Sequence, residues 1–241
     1  MADGVLNQPP PRPGAKPRRV RAERALSREA IVAAALRVID EDGIDAVTMR
    51  RVGRELGTGG ASLYAHIAGK DELLELVFDE VTGEIPLITP DPRRWQEQLK
   101  EYLRSWHATF LSHRDLAKVG LGRVPIGPNS LRGMECMLAI MRAGKLQDDV
   151  IGYGADILAA YVTASAYEGD IWMTGNAASP EVIQAYQDEL KTFLSNLPAD
   201  QFPTLVSLVP ALMGDDADDG NARFEFGLDV IIRGLVSRSK R

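Results

Sequence analysis

Seven polar side chains crowd into one short stretch of the chain: Thr48, Arg50, Thr58, Ser62, Tyr64, His66 and Lys70. They offer hydroxyl, imidazole, guanidinium and ammonium donors, which suit phosphate oxygens and base edges better than bond-breaking chemistry. An Arg at position 50 can fork onto O6 and N7 of a guanine for roughly 1–3 kcal/mol of discrimination. A Lys at position 70 brings a point charge that any phosphate satisfies. Other chemistry is poorly represented. His66, His107 and His113 have no metal-ligand spacing. No carboxylate pair, nucleophile triad or phosphate loop is visible, and Glu168-Gly169-Asp170 alone is a weak catalytic signal. The single cysteine, Cys136, rules out an internal disulfide and a thiolate metal cluster. Asp215, Asp216, Asp218 and Asp219 lack the alternation and terminal Glu of a calcium loop and read as solvated. Neither a metal nor a cofactor is expected.

The elements that must carry these donors follow from the surrounding pattern. Thr48 caps a short helix through Leu56, Gly57 makes the turn, and a second short helix follows to Ile67. Val47, Val52, Leu56, Leu63 and Ile67 hold the two helices together and leave the polar set outside, the layout of a helix-turn-helix DNA reader. Gly59 and Gly60 open the second helix, where groove-facing side chains usually stand. They belong to the expected contact surface through close backbone approach, and they move base discrimination onto Arg50, Thr58, Ser62 and DNA shape. In front of the pair, Ser27 caps a helix whose Ile31, Ala34, Ala35, Val38 and Ile39 form one apolar stripe, ended by Gly43.

Charge distribution supports a nucleic-acid partner although net charge is −6. Residues 1–70 carry 12 Lys and Arg against 8 Asp and Glu, net +4, and the remainder carries 16 against 26, net −10. One basic module on an acidic remainder is the expected asymmetry when only that module meets phosphate. Residues 1–24 alternate Pro9, Pro10, Pro11, Pro13 and Pro17 with Arg12, Lys16, Arg18, Arg19, Arg21 and Arg24. They read as a disordered basic arm, either a solvated tail or a source of extra phosphate and minor-groove contacts. No apolar run is long enough for a membrane span or a signal peptide, so the expected compartment is the cytoplasm.

The fold class expected is all-α. A helix-turn-helix domain with its connecting helix occupies 25–83, and a larger ligand-binding and dimerisation domain occupies 84–241, with Pro86, Pro90 and Pro92 at the boundary. Leu73, Leu74, Val77, Phe78 and Val81 build the connecting helix over 71–83, placed to transmit movement between the domains. Asp91-Pro92 reads as the start of a helix carrying Trp95, Leu99, Leu103, Trp106 and Phe110. A short helix near 114–121 follows, then a stripe of Leu131, Met134, Met137, Leu138 and Met141, and a long helix over 147–173. Ser179-Pro180 opens another, and the last runs over 221–237. Residues 198–214 are apolar but broken by Pro203 and Pro210 and give no clear element. Tyr102, Trp106, Phe110, Met134, Met137, Met141, Tyr161 and Tyr167 form an aromatic and sulfur-rich set that suits a flat, greasy ligand, with Arg123, Asp156, Thr163 and Glu168 as polar anchors. Gly152, Gly154, Ala155, Ala159, Ala160 and Ala164 on the long helix, with the last helix, could pair with their copies in a four-helix homodimer interface.

Asp42-Gly43-Ile44-Asp45-Ala46-Val47-Thr48-Met49-Arg50, Leu56-Gly57, Ser62-Leu63-Tyr64-Ala65-His66 and Lys70-Asp71-Glu72-Leu73 resemble, in order and spacing, the tetracycline-repressor (TetR) family of bacterial transcriptional regulators. Trp95-Gln96 and His113-Arg114-Asp115-Leu116-Ala117-Lys118-Val119-Gly120-Leu121-Gly122 extend a weaker likeness to the tetracycline-repressor subclass into the second domain. The resemblance implies a homodimer on double-stranded operator DNA, released by a small-molecule effector. Thr48, Tyr64, His66 and Lys70 then take backbone phosphates and Arg50 reaches a base edge. The drug site itself departs: Gly120 stands where a magnesium-holding His is implied, and Cys136, Pro86 and Tyr102 stand at polar drug contacts. The effector implied is therefore hydrophobic or aromatic rather than a magnesium–tetracycline chelate. The competing readings are a ligand-independent DNA-binding regulator and a helical enzyme with an apolar pocket.

Overall fold

The computed structural model describes residues 26–121, 125–173, 179–213 and 221–239. The basic arm, Arg123 and the acidic run Asp215 to Asp219 lie outside the described residues. Among those described there are eleven α-helices, one 3₁₀ turn and no strand.

Local chemistry sets the first elements. Helix α1 (Arg28–Asp42) begins where the Ser27 hydroxyl accepts from the Ala30 N–H at 3.2 Å. It ends at Gly43, whose φ of 83° suits glycine and turns the chain into a 3₁₀ turn at Ile44–Ala46. Helix α2 (Met49–Glu55) is capped by Thr48, which accepts from the Arg51 N–H at 3.1 Å. Gly57, at φ 68°, makes the turn to α3 (Gly60–Leu63). Ile31, Val38, Ile39, Val47, Val52, Leu63 and Ile67 are all at most 1% exposed. Burying each such side chain contributes about 1.5–3 kcal/mol, and these seven hold the three helices as one unit.

Helix α4 (Lys70–Thr82) buries Leu73, Leu74, Val77, Phe78 and Val81, and it packs on α1 at one end and on the later helices at the other. The buried cluster consequently runs without a break from Ile31 to Leu235.

The later helices are α5 (Trp95–Leu111), α6 (Leu116–Gly120), α7 (Pro128–Ala143), α8 (Asp148–Met173), α9 (Pro180–Ser195), α10 (Pro203–Met213) and α11 (Asn221–Ser239). Three expectations change here. Asp91-Pro92 does not open α5: the Asp91 carboxylate accepts from the Arg93 N–H at 2.9 Å, and the helix begins at Trp95. Buried Gln98 explains the delay, because it accepts from the Asp91 N–H at 2.7 Å and donates to the Thr89 carbonyl at 2.9 Å, holding that segment out of the helix. The unplaced stretch contains α10, with Pro203 harmless in its first turn and Pro210 inside it. The small residues of α8 do not share one face. Gly154 packs inward against Leu235 and Met141, and Ala155 is buried, whereas Gly152, Ala160 and Ala164 are exposed.

Candidate nucleic-acid interface and sensor cavity

Two glycines set how closely the reader helices cross. A Cβ on Gly53 would sit 2.8 Å from the Gly60 nitrogen, and one on Gly60 would sit 3.0 Å from the Met49 carbonyl oxygen. Half-buried Gly60 is therefore also where the two reader helices touch. Gly59 is exposed with open space around it, so the outer side of the turn is bare backbone. Thr48, Arg50, Ser62 and His66 are exposed, Tyr64 is 57% exposed, and Thr58 is half-buried with its hydroxyl donating to Ser62 Oγ at 3.3 Å. These side chains share the turn between α2 and the start of α4.

The cations divide by their partners. Arg51 bonds Glu55 at 2.8 Å and Asp42 at 3.2 Å, and Arg37 reaches Glu55 at 3.6 Å, so both are committed within the fold. The Arg51 bond holds the Glu55 carboxyl below its ordinary pKa. Arg50 and Arg54 are exposed and have no carboxylate within ion-pair distance among the described residues. Arg54 was not singled out in the sequence. Its position one helical turn beyond Arg50 was the available signal.

Lys70 is tied to the sensor helices. Its ammonium donates to the Ile44 carbonyl at 3.3 Å, and the N–H of Ile44 donates to Asp115 Oδ2 at 3.0 Å, just before α6. Nearby, His113 bridges Asp40 at 3.0 Å and Glu84 at 3.2 Å. A second tie crosses from α4 to α7. Buried Asp79 accepts from the Ser130 N–H and hydroxyl, each at 2.9 Å, and from the Asn129 N–H at 3.3 Å. Its carboxylate thus covers the first amides of α7, where negative charge is favoured. Gly127 leaves the room, since a Cβ there would lie 2.1 Å from Asp79 Oδ1.

Beside this tie lies a cavity of about 330 Å³ between α1, α4 and the α6–α7 connection, with Phe78, Asp79, Gly120, Ile126 and Ser130 in its walls. That volume is at the small-molecule end of the range for binding sites. None of the eight residues expected to line a ligand site faces it. Tyr102 and Phe110 are 1% exposed, Met137 3% and Met141 0%, all within the core, while Met134 is 39% exposed on the outer side of α7. Half-buried Tyr161 is engaged by α11: it stacks on Phe224 and donates to the carbonyls of Arg223 and Phe224 at 3.1 Å. Tyr167 is also half-buried. Of the expected anchors, Thr163 is buried and Asp156 and Glu168 are exposed. The aromatic set nevertheless connects with the cavity. Phe78 meets Phe110 edge-on at 5.2 Å, Phe110 meets Trp106 at 5.9 Å, and Trp106 meets Tyr102 at 6.4 Å. Gly120 cannot be replaced without displacing Phe78, whose ring would lie 2.8 Å from a Cβ there.

A third feature is apolar and outward. On α8, Tyr153 is 75% and Ile157 50% exposed, and on α11, Phe226 is 72% and Val230 53% exposed. The pairs are spaced by one helical turn, so each helix shows an apolar stripe. Among the described residues no helix is long and apolar enough to cross a membrane.

Comparison with known proteins agrees with this architecture. Residues 89–238 match the tetracyclin repressor-like C-terminal domain, and residues 31–77 match the tetR family of bacterial regulatory proteins. The HTH-type transcriptional repressor DrrR1 of Streptomyces coeruleorubidus is 31% identical over 216 residues, covering 87% of this chain and 77% of that one. The class D tetracycline repressor protein of Escherichia coli is 28% identical over 215 residues, covering 87% and 89%. The structure of ActR from Streptomyces coelicolor in complex with actinorhodin is 43% identical with a TM-score of 0.80, covering 90% of this chain and 98% of that one. Apo ActR gives 42% and 0.78, covering 90% and 99%. Regulators of this family bind operator DNA and small-molecule effectors and act as dimers. With a helix-turn-helix reader at one end and a matching sensor domain at the other, this chain belongs to the TetR family of DNA-binding transcriptional regulators.

Proposed function

We propose that the chain is a repressor that a small, largely hydrophobic or aromatic molecule releases from its operator. In this reading Thr48, Tyr64, His66 and Lys70 hold phosphates, and Arg50 reads a base edge with help from Thr58 and Ser62. Exposed Gly59 lets the backbone approach the duplex, and Arg54 adds a phosphate contact. The basic arm of residues 1–24, the reader domain of 25–83 and the sensor domain of 84–241 then work as one switch, in the cytoplasm where the DNA is. A second copy covers the stripes of α8 and α11 and sets two readers about 34–36 Å apart, one duplex turn. The observation that carries this reading is the pair of ties from the sensor to the reader: Asp115 through the Ile44 peptide to Lys70, and Asp79 from α4 to α7 beside a cavity. A molecule wedged into that cavity can favour the released state only by binding it more tightly than the DNA-bound state. The named relatives support the same logic, being a transcriptional repressor, a tetracycline repressor and a regulator solved with actinorhodin.

Fluorescence anisotropy on labelled duplex from upstream of the chain's own coding region tests it. The expected result is saturable, salt-dependent binding reversed by hydrophobic aromatic compounds. Binding insensitive to every such compound would replace this reading with a ligand-independent regulator.

A further inference from the structure

The cavity beside the Asp79 tie has a chemically mixed wall. Leu76, Phe78 and Ile126 give it an apolar side, and Glu72, Glu75 and Asp79 set three carboxylates against the single guanidinium of Arg28. The carboxylates are not equivalent. Asp79 is buried and covered by the first amides of α7, and half-buried Glu72 pairs with Arg28 and accepts from the Ala68 N–H at 2.5 Å. Glu75 is exposed, and so is Ile126, at 77%. The wall therefore ends in a rim that shows water one anionic and one large apolar side chain, a combination that suits a segment carrying cations beside an apolar residue.

The chain itself supplies such a segment. It enters the described fold at half-buried Leu26, two residues before Arg28, so the preceding residues start from the edge of the cavity. Over residues 12–25 they carry six Lys and Arg against one Glu, and Val20 stands between Arg19 and Arg21. The six-residue step from Leu26 back to Val20 spans about 20 Å when fully extended, enough to return to a wall that Arg28 already reaches. Exposed ion pairs are individually weak. A short tether offsets that weakness, because it presents the segment to the cavity at an effective concentration in the millimolar range.

We propose that residues 18–24 of the basic arm dock in this cavity in the DNA-free protein, with Val20 on its apolar side and the flanking arginines toward Glu75 and Glu72. The dock is an autoinhibitory contact. Duplex phosphates and the cavity's carboxylates compete for the same arginines, so the docked contact is given up whenever the arm moves onto DNA. Non-specific binding is reduced most, because it depends almost wholly on phosphate contacts. The docking does not depend on the effector reading above; a small molecule that uses the same cavity has to displace the arm.

Photo-crosslinking on the full-length protein tests the docking. Ile126→p-benzoylphenylalanine puts the reactive group on the exposed rim, and a mixture of unlabelled and ¹⁵N-labelled protein, re-equilibrated before irradiation, separates capture within one chain from capture between copies. The expected result at low salt is capture of residues 18–24 of the same chain, reduced at least about fivefold by Glu75→Lys, by high salt or by saturating random duplex. Capture of the arm of a second copy, capture of some other segment, or capture unmoved by Glu75→Lys overturns the proposal. Affinity for random duplex gives an independent readout. Glu75→Lys should strengthen it at least about threefold more in the chain with its native arm than in one carrying Arg18→Gln, Arg19→Gln and Arg21→Gln. An equal gain in both chains means that the new charge acts on DNA directly, and it overturns the autoinhibitory contact while leaving the repressor reading standing.

Discussion

Replacing Asp79 by Ala removes the tie between α4 and α7 without touching the reader. Its carboxylate receives the Ser130 N–H and hydroxyl at 2.9 Å and the Asn129 N–H at 3.3 Å. Hydrogen bonds to a charged group contribute about 1.5–3 kcal/mol each, but three on one carboxylate do not add, and water from the adjoining cavity can recover the longest. A net loss of about 2–4 kcal/mol follows, which for a chain of this length lowers Tm by roughly 5–15 °C. Asp79→Asn keeps one acceptor and should lose about half as much. The local source of the effect is checked by a double-mutant cycle with Gly127. Gly127→Ala alone drives a Cβ to 2.1 Å from Asp79 Oδ1 and should destabilise, whereas the same change in the Asp79→Ala background meets open space. The two losses should therefore fail to add by more than about 1 kcal/mol. Scanning calorimetry reads the stabilities, and operator anisotropy with and without an aromatic compound reads the coupling. Operator affinity should change little while the compound's effect weakens. A Tm loss under 2 °C for Asp79→Ala, or additive losses in the cycle, would refute the reasoning.

Three further outcomes follow from named contacts. Gly53→Ala, which brings a Cβ to 2.8 Å from backbone at Gly60, should cost about 1–3 kcal/mol and weaken operator binding, whereas Gly59→Ala in open space should change stability by less than about 0.5 kcal/mol; chemical denaturation distinguishes them, and equal effects would count against the close helix crossing. Arg50→Ala should relax operator choice, while Lys70→Ala should weaken binding on all duplexes alike and reduce the salt slope by about 1; matching slopes in titrations across salt would contradict that division of labour. His107 is held below its ordinary pKa by burial, partly opposed by its bond to Ser165. Its unfolded form therefore takes a proton first, and stability should fall as pH drops below about 6.5 toward the depressed folded value. His107→Gln should flatten part of the Tm decline between pH 7 and 5, and an unchanged decline would remove His107 from the account.

What could be foreseen depended on how local the controlling interaction was. The caps at Ser27 and Thr48, the stripe of Ile31, Ala34, Ala35, Val38 and Ile39, and the turn at Gly57 are set within a few residues of each other, so periodicity and side-chain type revealed them. The second role of Gly60 was not legible, because the backbone it meets, at Met49 and Arg50, belongs to another helix. Arg51 sits beside Arg50 in sequence yet is consumed by Asp42 and Glu55, a distinction only the folded pairing makes. The aromatic stripe of α5 was visible, but its members pack on one another, and the cavity forms where α1, α4 and the α6–α7 connection meet. Asp79 left one faint trace, a carboxylate on the apolar face of α4 among Leu74, Val77, Phe78 and Val81. Its partners, 50 and 51 residues away, could not be named without the fold.

The most direct measurement is the anisotropy of labelled duplex from upstream of the chain's own coding region, titrated with the purified full-length protein in modest salt and then with hydrophobic aromatic compounds. Saturable binding, with unlabelled copies of the same duplex competing far better than random duplex and at least one such compound restoring free-DNA anisotropy, is the result predicted. Retention no stronger than on random duplex would contradict the account at its centre.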